Sequence, residues 1–386
     1  MNRLCHFRLF GLATATILML ASTPGVTAGI YDTWPKKMKV TFAGYNKPET
    51  LTNFPALIVF SNAMFSGFSY GDFQSLTNQD LRFANSNETT ALNYEIDTWN
   101  TNGTSYVWVQ VPVLTNNATV WATWGNTAYN SQASYTTNGA TWKPAYQGVW
   151  HLQNNGNAIT VINSVSGLVG TNNLGASVAT NGVVDGGAGC YAAASGLGSA
   201  DEVALRTTKT LTLSAWVLPT TLTTGNNAII NKRGGGDPYN YSLWMKTNGQ
   251  TFFQFNNGAG NATDTGPAYK LNEWVMTSVI INENLSSGKL SFLGNGVIRS
   301  QPSYPGGMAP GSDSLSFGSF YPVGTGYQLK GGIDEVRIST NALSTNWVWA
   351  TYQNMASNTM FQSYGAVVTP SASTPINTTP LLFFVQ

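Results

Sequence analysis

Residues 329–354 read Leu-Lys-Gly-Gly-Ile-Asp-Glu-Val-Arg-Ile-Ser and then Thr-Asn-Ala-Leu-Ser-Thr-Asn-Trp-Val-Trp-Ala-Thr-Tyr-Gln-Asn. The first part has the composition of a β-strand, and the second part predicts a short helix over 345–354. Ser344 is suited to the N-cap of that helix, because its hydroxyl can accept a hydrogen bond from a free amide two or three residues later. The stretch therefore predicts a strand that is followed at once by a short helix.

The stretch from Gly331 to Ile338 resembles the closing strand of bacterial laminin-G-like domains, which are concanavalin A-type jelly rolls. Other segments resemble strands and turns of the same family: Val149-Trp-His-Leu152, Leu211-Thr-Leu-Ser-Ala-Trp-Val217, Ile229-Ile-Asn-Lys232, Leu271-Asn-Glu-Trp274 and Gly294-Asn-Gly-Val297. The resemblance implies a jelly-roll domain over 149–365, with one short helix after its last strand.

A separate unit precedes this domain. Its motifs follow in the order Phe42-Ala-Gly-Tyr45, Leu51-Thr-Asn-Phe-Pro55, Gly67-Phe-Ser-Tyr-Gly-Asp-Phe73, Asp80-Leu-Arg-Phe83, Tyr94-Glu-Ile-Asp-Thr-Trp-Asn100, Val107-Trp-Val-Gln-Val-Pro112 and Trp124-Gly-Asn126. That succession resembles a bacterial domain of unknown function, DUF2341, which often precedes laminin-G-like domains. The resemblance implies an N-terminal β-sandwich over 29–135, joined by a short linker over 136–148 to a second domain packed against it.

Composition agrees with an all-β protein of two antiparallel sandwiches. Only 9% of the residues are charged, the net charge is +1, and the 386-residue chain has 40 glycines. Asn-Gly pairs at 102–103, 248–249 and 295–296 lie between strand-like runs and favour tight hairpin turns. The absence of a basic patch argues against a nucleic-acid partner.

The two ends of the chain read differently from its centre. Residues 1–28 have the charged, apolar and small-residue regions of a secretory signal peptide, which predicts a secreted or cell-surface protein with no membrane span in the mature chain. Residues 366–386 begin with a Ser, Thr and Pro-rich stretch that is typical of a disordered tail. The other cysteine, Cys5, lies in the predicted signal peptide. Cys190 is therefore the one cysteine of the predicted mature chain and is expected to be a buried core residue.

The sequence offers weak candidates for catalysis, and we assign no catalytic residue. Glu95 and Asp97 share one strand face about 6.6 Å apart, near the spacing of glycosidase carboxyl pairs. Some jelly-roll glycosidases use a Glu-x-Asp-x-x-Glu strand, but here Asn100 takes the place of the proton-donating Glu. We therefore expect an outward-facing pair, balanced by Arg82. His151, the other candidate, is expected to be a packing residue at the domain junction.

A structural calcium ion is one interpretation of Asp334. In strict alternation Asp334 shares a face with Val336 and Ile338, so its carboxylate is expected to point inward. The resemblance implies a Ca²⁺ site, because many relatives bind structural calcium, although Asn163 stands where relatives often have Asp. Hydrogen bonds from backbone amides are the alternative, which we rank first.

Two loops of the second domain offer the residue types that hold sugars, namely aromatic rings for stacking and polar groups for hydroxyls. The loop over 234–241 contains Asp237, Tyr239 and Asn240, and the loop over 320–327 contains Tyr321 and Tyr327. We expect these loops to form one ligand-binding rim. The overall interpretation is a non-catalytic, exported protein that binds carbohydrate or acts in adhesion, with a glycan or a cell-surface protein as partner.

Two alternatives stay open at this point. A structural cell-surface protein would use its sandwich for protein–protein contact, and a glycan array would separate it from a lectin. A glycoside hydrolase ranks third and would be revealed by hydrolysis of a polysaccharide. A fold of this type does not by itself decide among them.

Export gives the first prediction. Mass spectrometry of protein secreted by an expressing cell should find a mature N-terminus at or near Gly29, because Val26-Thr27-Ala28 has the small residues that signal peptidase requires. Changing Ala28 to Arg should block this cleavage, while changing Gly29 to Ser should not. Protein with an intact Met1 in the cytoplasm of the wild-type culture would contradict the prediction.

Overall fold

The structure is a computed structural model of the chain. It describes a series of segments that together make up most of the protein: 28–64, 66–74, 78–155, 158–172, 178–191, 195–222, 225–233, 240–255, 260–320 and 327–369. Residues 1–27 of the predicted signal peptide and most of the predicted tail lie outside these residues.

The first domain is a sandwich of short antiparallel sheets. Its strands are β1 (Lys36–Phe42), β2 (Leu51–Ser61), β3 (Arg82–Asn85), β4 (Tyr94–Thr98), β5 (Thr104–Leu114) and β6 (Ala118–Trp124). One sheet has the order β1-β6-β3 and the other has the order β2-β5-β4. In β5 Val107, Val109 and Val111 are buried in the core, and Trp108 is buried on the opposite face. That second buried face is the one that meets the second domain.

The second domain contains two larger sheets. Its strands are β7 (Gly148–Trp150), β8 (Asn154–Asn155), β9 (Ala158–Ile159), β10 (Val178–Asn181), β11 (Gly186–Cys190), β12 (Leu197–Ser199), β13 (Thr210–Pro219), β14 (Asn226–Lys232), β15 (Tyr241–Lys246), β16 (Thr251–Phe255), β17 (Gly260–Thr263), β18 (Val275–Asn282), β19 (Leu290–Gly294), β20 (Val297–Ser300), β21 (Leu315–Phe317) and β22 (Gly331–Ser339).

Apart from β8 and β9, which pair only with each other, these strands form the two layers of a jelly roll. The eight-stranded sheet has the order β10-β11-β22-β13-β18-β19-β20, with β7 also paired to β22, and the six-stranded sheet has the order β12-β21-β14-β15-β16-β17. All strand pairs of both sheets are antiparallel. The three Asn-Gly pairs each connect adjacent paired strands, which confirms the hairpins expected from sequence. Cys190 is fully buried between the layers.

After β22 the chain returns to the first domain. Helices α1 (Thr345–Ala356) and α2 (Asn358–Phe361) lead to β23 (Ser363–Tyr364), which pairs with β1. Ser344 caps α1 as predicted, with its Oγ accepting a hydrogen bond of 3.1 Å from the amide of Trp347. On one side of α1 the Trp347 ring lies 5.2 Å from Phe54, and on the other side Tyr352 stacks on Trp216 at 5.4 Å. The helix therefore joins the cores of the two domains.

Side-chain amides from the returning segment cover the free edge of β2. The Asn354 Oδ1 accepts a hydrogen bond of 2.5 Å from the amide of Leu57, and the Leu57 carbonyl accepts from Asn354, Asn358 and Gln362. Unpaired strand edges invite pairing with other chains, and here the edge is covered within the protein. Among the described residues, no helix is long and apolar enough to cross a bilayer.

The edge of β2 gives the second prediction. Asn354→Ala should leave the buried Leu57 amide without an acceptor and lower the free energy of unfolding by about 1–3 kcal/mol. Asn346→Ala is the matched control on the same helix, because its amide bonds the partly exposed Glu49 carboxylate and should matter less. Urea unfolding followed by tryptophan fluorescence measures both. Equal effects of the two substitutions would contradict the edge-covering role.

Candidate functional site

Five ionisable side chains that are distant in sequence meet where the two domains touch. They are Glu95 and Asp97 of β4, His151 directly after β7, and Glu335 and Arg337 of β22, and we call them the junction cluster. The side chains of Asp97 and Glu335 have no exposed surface, and that of His151 is 5% exposed. Buried charges on this scale require partners.

The imidazole of His151 lies at the centre of the cluster. Its Nδ1 is 2.6 Å from Glu335 Oε1 and 3.4 Å from Asp97 Oδ2, and its Nε2 is 3.6 Å from Glu95 Oε1. Glu335 also accepts a hydrogen bond of 2.6 Å through Oε2 from the guanidinium of Arg337. The ring contacts three carboxylates drawn from both domains.

Two tryptophans hold this arrangement in place. Trp108 stacks on the His151 ring with centroids 5.9 Å apart, and Trp142 lies 5.3 Å away on a tilted plane. The Trp108 indole also donates a hydrogen bond of 3.0 Å to Asp97 Oδ2, and the Trp142 indole donates to Glu95. Arg337 lies over the Trp108 ring at 4.3 Å. The carboxylates and cations are thus oriented by rigid aromatic groups.

Burial and mutual charge shift the titration of the cluster. Burial raises the pKa of Asp97 to about 6, with His151 opposing the shift and Glu335 adding to it. Although burial disfavours the charged imidazole, the carboxylates of Asp97 and Glu335 raise the pKa of His151 well above its ordinary value. Burial likewise works against the Glu335 carboxylate, but His151 and Arg337 lower its pKa.

A β-bulge at Glu335 aims the acids of β22 towards the first domain. The register between β13 and β22 shifts between Ser214 and Trp216, and Glu335 adopts a left-handed φ of 48°. Such a bulge adds a residue to one strand and re-aims its side chains. Sequence alternation placed Asp334 on the face of Val336 and Ile338, and that expectation was wrong, because the bulge interrupts the alternation.

Asp334 is nevertheless fully buried, and its carboxylate accepts backbone hydrogen bonds. Oδ2 accepts from the amides of Val183 at 2.6 Å and Val184 at 3.1 Å, and Oδ1 accepts from Glu335 at 2.7 Å. Burial, together with the charge of Glu335, raises the pKa of Asp334. These contacts match the backbone-bonded interpretation. Asn163, which stands where relatives often have a calcium-binding Asp, forms hydrogen bonds with four other groups through its side-chain amide. Calcium at Asp334 stays a prediction.

The orientation of Glu95 and Asp97 differs from expectation. The two side chains share one strand face, but that face is covered by the second domain, so the predicted outward-facing pair was wrong. Arg82 does not balance them either: its guanidinium donates to backbone carbonyls and to the hydroxyl of Tyr94. His151 is buried as predicted, but its partners were missed. The sequence signal for this cluster was the presence of acidic residues in two predicted strands. The sequence does not show that these strands come together, because their contact depends on long-range packing.

A small cavity adjoins the junction cluster. Its volume is about 130 Å³ and its wall is formed by residues of both domains, namely Glu95, Ile96, His151, Leu152, Gln153, Thr160, Ile162 and Ser164. Ile162 is 39% exposed. The His151 Nε2 is buried and has no hydrogen-bond partner among the described residues. The cavity therefore offers polar groups and room for water beside the imidazole of His151.

The predicted glycan-binding residues fall in three categories. Asp237, Tyr239 and Tyr321 lie outside the described residues. Asn240 is fully buried, and its amide bonds the backbone of Thr207 and Ala309, so its side chain connects these two segments. Tyr327 is 38% exposed, as a ligand-binding aromatic should be.

Tyr327 belongs to a group of three rings that pack edge-to-face on one another, which we call the outer aromatic cluster. Its rings are those of Trp244, Phe320 and Tyr327, with centroids 5.6 to 5.9 Å apart. Trp244 alternates along β15 with core residues such as Leu243, so the cluster lies on the outer face of the six-stranded sheet. The guanidinium of Arg233 lies over the Phe320 ring at 4.6 Å. Because Arg233 and Phe320 each border one of the two predicted loops, the bases of these loops are in contact.

Several polar atoms near this cluster are buried and lack a partner. They are Trp244 Nε1, Ser242 Oγ, Asn231 Oδ1 and Ser319 Oγ, judged against the part of the chain that the structure describes. Asn231 lies directly opposite Ser242, and Ser242 is two residues from Trp244. Buried polar groups are normally satisfied, so a concentration of exceptions calls for a reason such as water or a ligand.

Two family models match the chain. Residues 77–143 match a domain of unknown function, DUF2341, and residues 192–348 match the concanavalin A-like lectin/glucanases superfamily. The two matches follow in the order described from sequence, which confirms the resemblance and the all-β fold class. No curated protein matches the chain.

Solved structures are similar to the chain only in fold. Domain 4 of an extracellular GH43 arabinanase from Geobacillus stearothermophilus, in complex with arabinotriose, is 20% identical over 54% of this chain and 98% of that one, with a TM-score of 0.43. The binding domain of Paraclostridial mosquitocidal protein 1 is 12% identical over 54% and 52%, with a TM-score of 0.42. A Trypanosoma rangeli sialidase in complex with sialic acid is 14% identical over 69% and 43%, with a TM-score of 0.42. The chain spans about half the length of the mosquitocidal protein structure.

The junction cluster gives the third prediction. Arg337→Met should leave the Glu335 carboxylate buried without its guanidinium and lower the free energy of unfolding by about 3–5 kcal/mol. Arg206→Met is the control, since Arg206 pairs with Asp201 while a third of its side chain is exposed, and its loss should have a much smaller effect. Thermal unfolding followed by circular dichroism measures both. A neutral Arg337→Met would show that the pair does not stabilise the junction.

Proposed function

We propose that this chain, in which a domain of unknown function precedes a concanavalin A-like domain, is an exported protein that binds glycans without catalysing a reaction on them. The observation that carries the proposal is the outer aromatic cluster. There an exposed tyrosine packs edge-to-face with two further rings, near buried polar atoms that have no partner among the described residues.

The chemistry of this face suits a sugar. A pyranose or furanose has C–H faces that pack on aromatic rings and hydroxyl groups that donate and accept hydrogen bonds. Tyr327 offers the exposed ring, and the buried Trp244 packs edge-to-face against it with ring centroids 5.9 Å apart. Arg233 donates to Gln254 and lies at the rim of the same face. A sugar stacked on Tyr327 would therefore rest on a ring that its aromatic neighbours hold in place.

The state of the candidate catalytic acids supports a non-catalytic role. Glu95 and Asp97 already accept hydrogen bonds from the indoles of Trp142 and Trp108, and Asp97 is buried. Asn100 uses its side-chain oxygen to cap a turn at the amide of Asn102. A glycosidase needs one carboxyl group free to protonate the leaving oxygen and another to attack or to activate water.

Glycan binding gives the fourth prediction. On a glycan array, the full chain should bind a defined set of oligosaccharides with dissociation constants of about micromolar to millimolar, because a rim of this kind buries little ligand surface. Tyr327→Ala should weaken binding of the best ligand by about tenfold, equivalent to about 1.4 kcal/mol, through loss of the stacking ring. Trp244→Phe should weaken it less, because Trp244 is buried and acts only by supporting the Tyr327 ring.

Tyr129→Ala is the control for Tyr327→Ala, because Tyr129 is a tyrosine of the first domain that is 41% exposed, close to the 38% of Tyr327. Its loss should leave glycan affinity unchanged. Equal binding by all three variants and the wild type would overturn the site assignment. If no glycan binds but a cell-surface protein does, the structural alternative replaces the proposal. Hydrolysis of an array glycan that is lost in Glu95→Gln would establish an enzyme instead.

A further inference from the structure

The junction cluster carries more negative than positive charge. Three carboxylates, those of Glu95, Asp97 and Glu335, contact a neutral or protonated imidazole. Among the described residues, Arg337 is the other cation that contacts these acids. The sum is a net charge of −1 with protonated His151 and −2 with neutral His151, so the cluster is negative in either state. Burial of a net charge is costly, so this place in the fold favours a divalent cation.

The donor atoms are placed as metal ligands. One oxygen each of Asp97 and Glu335 and one nitrogen of His151 all lie within 4.8 Å of one another. Ligand atoms about 2.0–2.2 Å from a tetrahedral metal lie about 3.3–3.6 Å apart. The 3.4 Å between His151 Nδ1 and Asp97 Oδ2 has this value. The 2.6 Å between Nδ1 and Glu335 Oε1 is shorter, so Glu335 would retreat by about 1 Å when a metal replaced the proton.

The ligands are also held from behind, as ligands of metal sites usually are. Trp108 and Gln153 donate to the Asp97 carboxylate, and Arg337 donates to the far oxygen of Glu335. These bonds orient the carboxylates without using the oxygens that approach Nδ1, except that Trp108 shares Oδ2. The site is therefore largely organised before any ion enters.

The other nitrogen of the imidazole lies beside a carboxylate. His151 is 5% exposed, and its Nε2 has no hydrogen-bond partner among the described residues. This nitrogen is 3.6 Å from Glu95 Oε1, and the ring borders the adjoining cavity of about 130 Å³. Histidines that bind a metal usually donate their other N–H to a carboxylate. Glu95 is therefore placed to orient the ring once Nδ1 binds a metal.

We propose that the junction cluster binds one divalent transition-metal ion of the Zn²⁺ class through Nδ1 of His151 and the carboxylates of Asp97 and Glu335, with water completing the coordination. The imidazole ligand selects such an ion over Ca²⁺, which takes oxygen ligands. Because Asp97 belongs to the first domain and Glu335 to the second, the metal links the two domains. The site is distinct from the outer aromatic cluster, so it does not depend on glycan binding.

The test uses the full mature chain without an affinity tag, stripped with a chelator and returned to chelator-free buffer. After addition of Zn²⁺ and removal of the excess by gel filtration, elemental analysis should find about one zinc per chain, and the melting temperature should rise, because an ion that binds only the folded state stabilises it. Asp97→Asn should lower zinc affinity at least about tenfold while nearly keeping the shape of the side chain.

Two controls make the result specific. Cys190→Ser should retain the wild-type stoichiometry, because Cys190 is buried in the second domain's core and would be the competing thiol ligand. Asp264→Asn, which changes a buried acid paired with Arg299 elsewhere in the second domain, should also retain it. Co²⁺ added in place of Zn²⁺ should give the visible absorption bands of a tetrahedral N/O site in the wild type and weaker bands in Asp97→Asn.

The outcomes separate cleanly. Wild-type protein that retains no zinc or cobalt after gel filtration overturns the proposal and leaves a proton as the counter-charge of the cluster. Zinc binding that is equal in wild type and folded Asp97→Asn also overturns it, because the metal is then bound elsewhere. If Asp97→Asn does not fold, the cobalt spectrum of the wild type decides: bands of a site with imidazole nitrogen and oxygen ligands support the proposal, and bands of a thiolate site overturn it.

Discussion

The arrangement of the two domains depends on a buried network of ionisable side chains. In this network Arg337 contacts Glu335, Glu335 contacts His151, and His151 contacts the acids of β4. Each of these groups would be costly to bury alone. The Glu335–His151 and Glu335–Arg337 pairs lie within the second domain, whereas His151 contacts Glu95 and Asp97 only because the domains are docked in this orientation. Trp108 and Trp142 fill the space around them and add cation–π contact to Arg337. Separation of the domains would expose or strand several charges at once, which favours a single docked state.

The outer faces of the two jelly-roll sheets have different surroundings. The eight-stranded sheet turns Trp216, Met276, Ile280 and Leu293 towards the first domain and α1, where they join its hydrophobic core. The six-stranded sheet keeps its outer face away from that core and carries Trp244, Phe320 and Tyr327 as a separate cluster. A domain that is anchored through one face leaves the other for a ligand, which is why we place glycan binding there.

Small departures from regular structure set up the junction. The bulge at Glu335 turns the side chains of Asp334, Glu335 and Arg337 to the same side of β22. A second register shift lies beside Asp97, in the pairing of β4 with β5. A bulge costs pairing energy and persists where the re-aimed side chain finds partners. Here the partners are His151 and Arg337, so local irregularity and long-range ion pairing support each other.

The sequence by itself determined the strands, the Asn-Gly hairpins, the Ser344 cap and the order of two β domains, because these depend on short-range sterics and nearby hydrogen bonds. Only the tertiary structure decided that Glu95 and Asp97 face His151, that Asp334 turns away from Val336, and that β23 returns to the first sheet. Period-two alternation tells which side chains share a face. It contains no information about which distant segment covers that face, or about where a bulge interrupts the count.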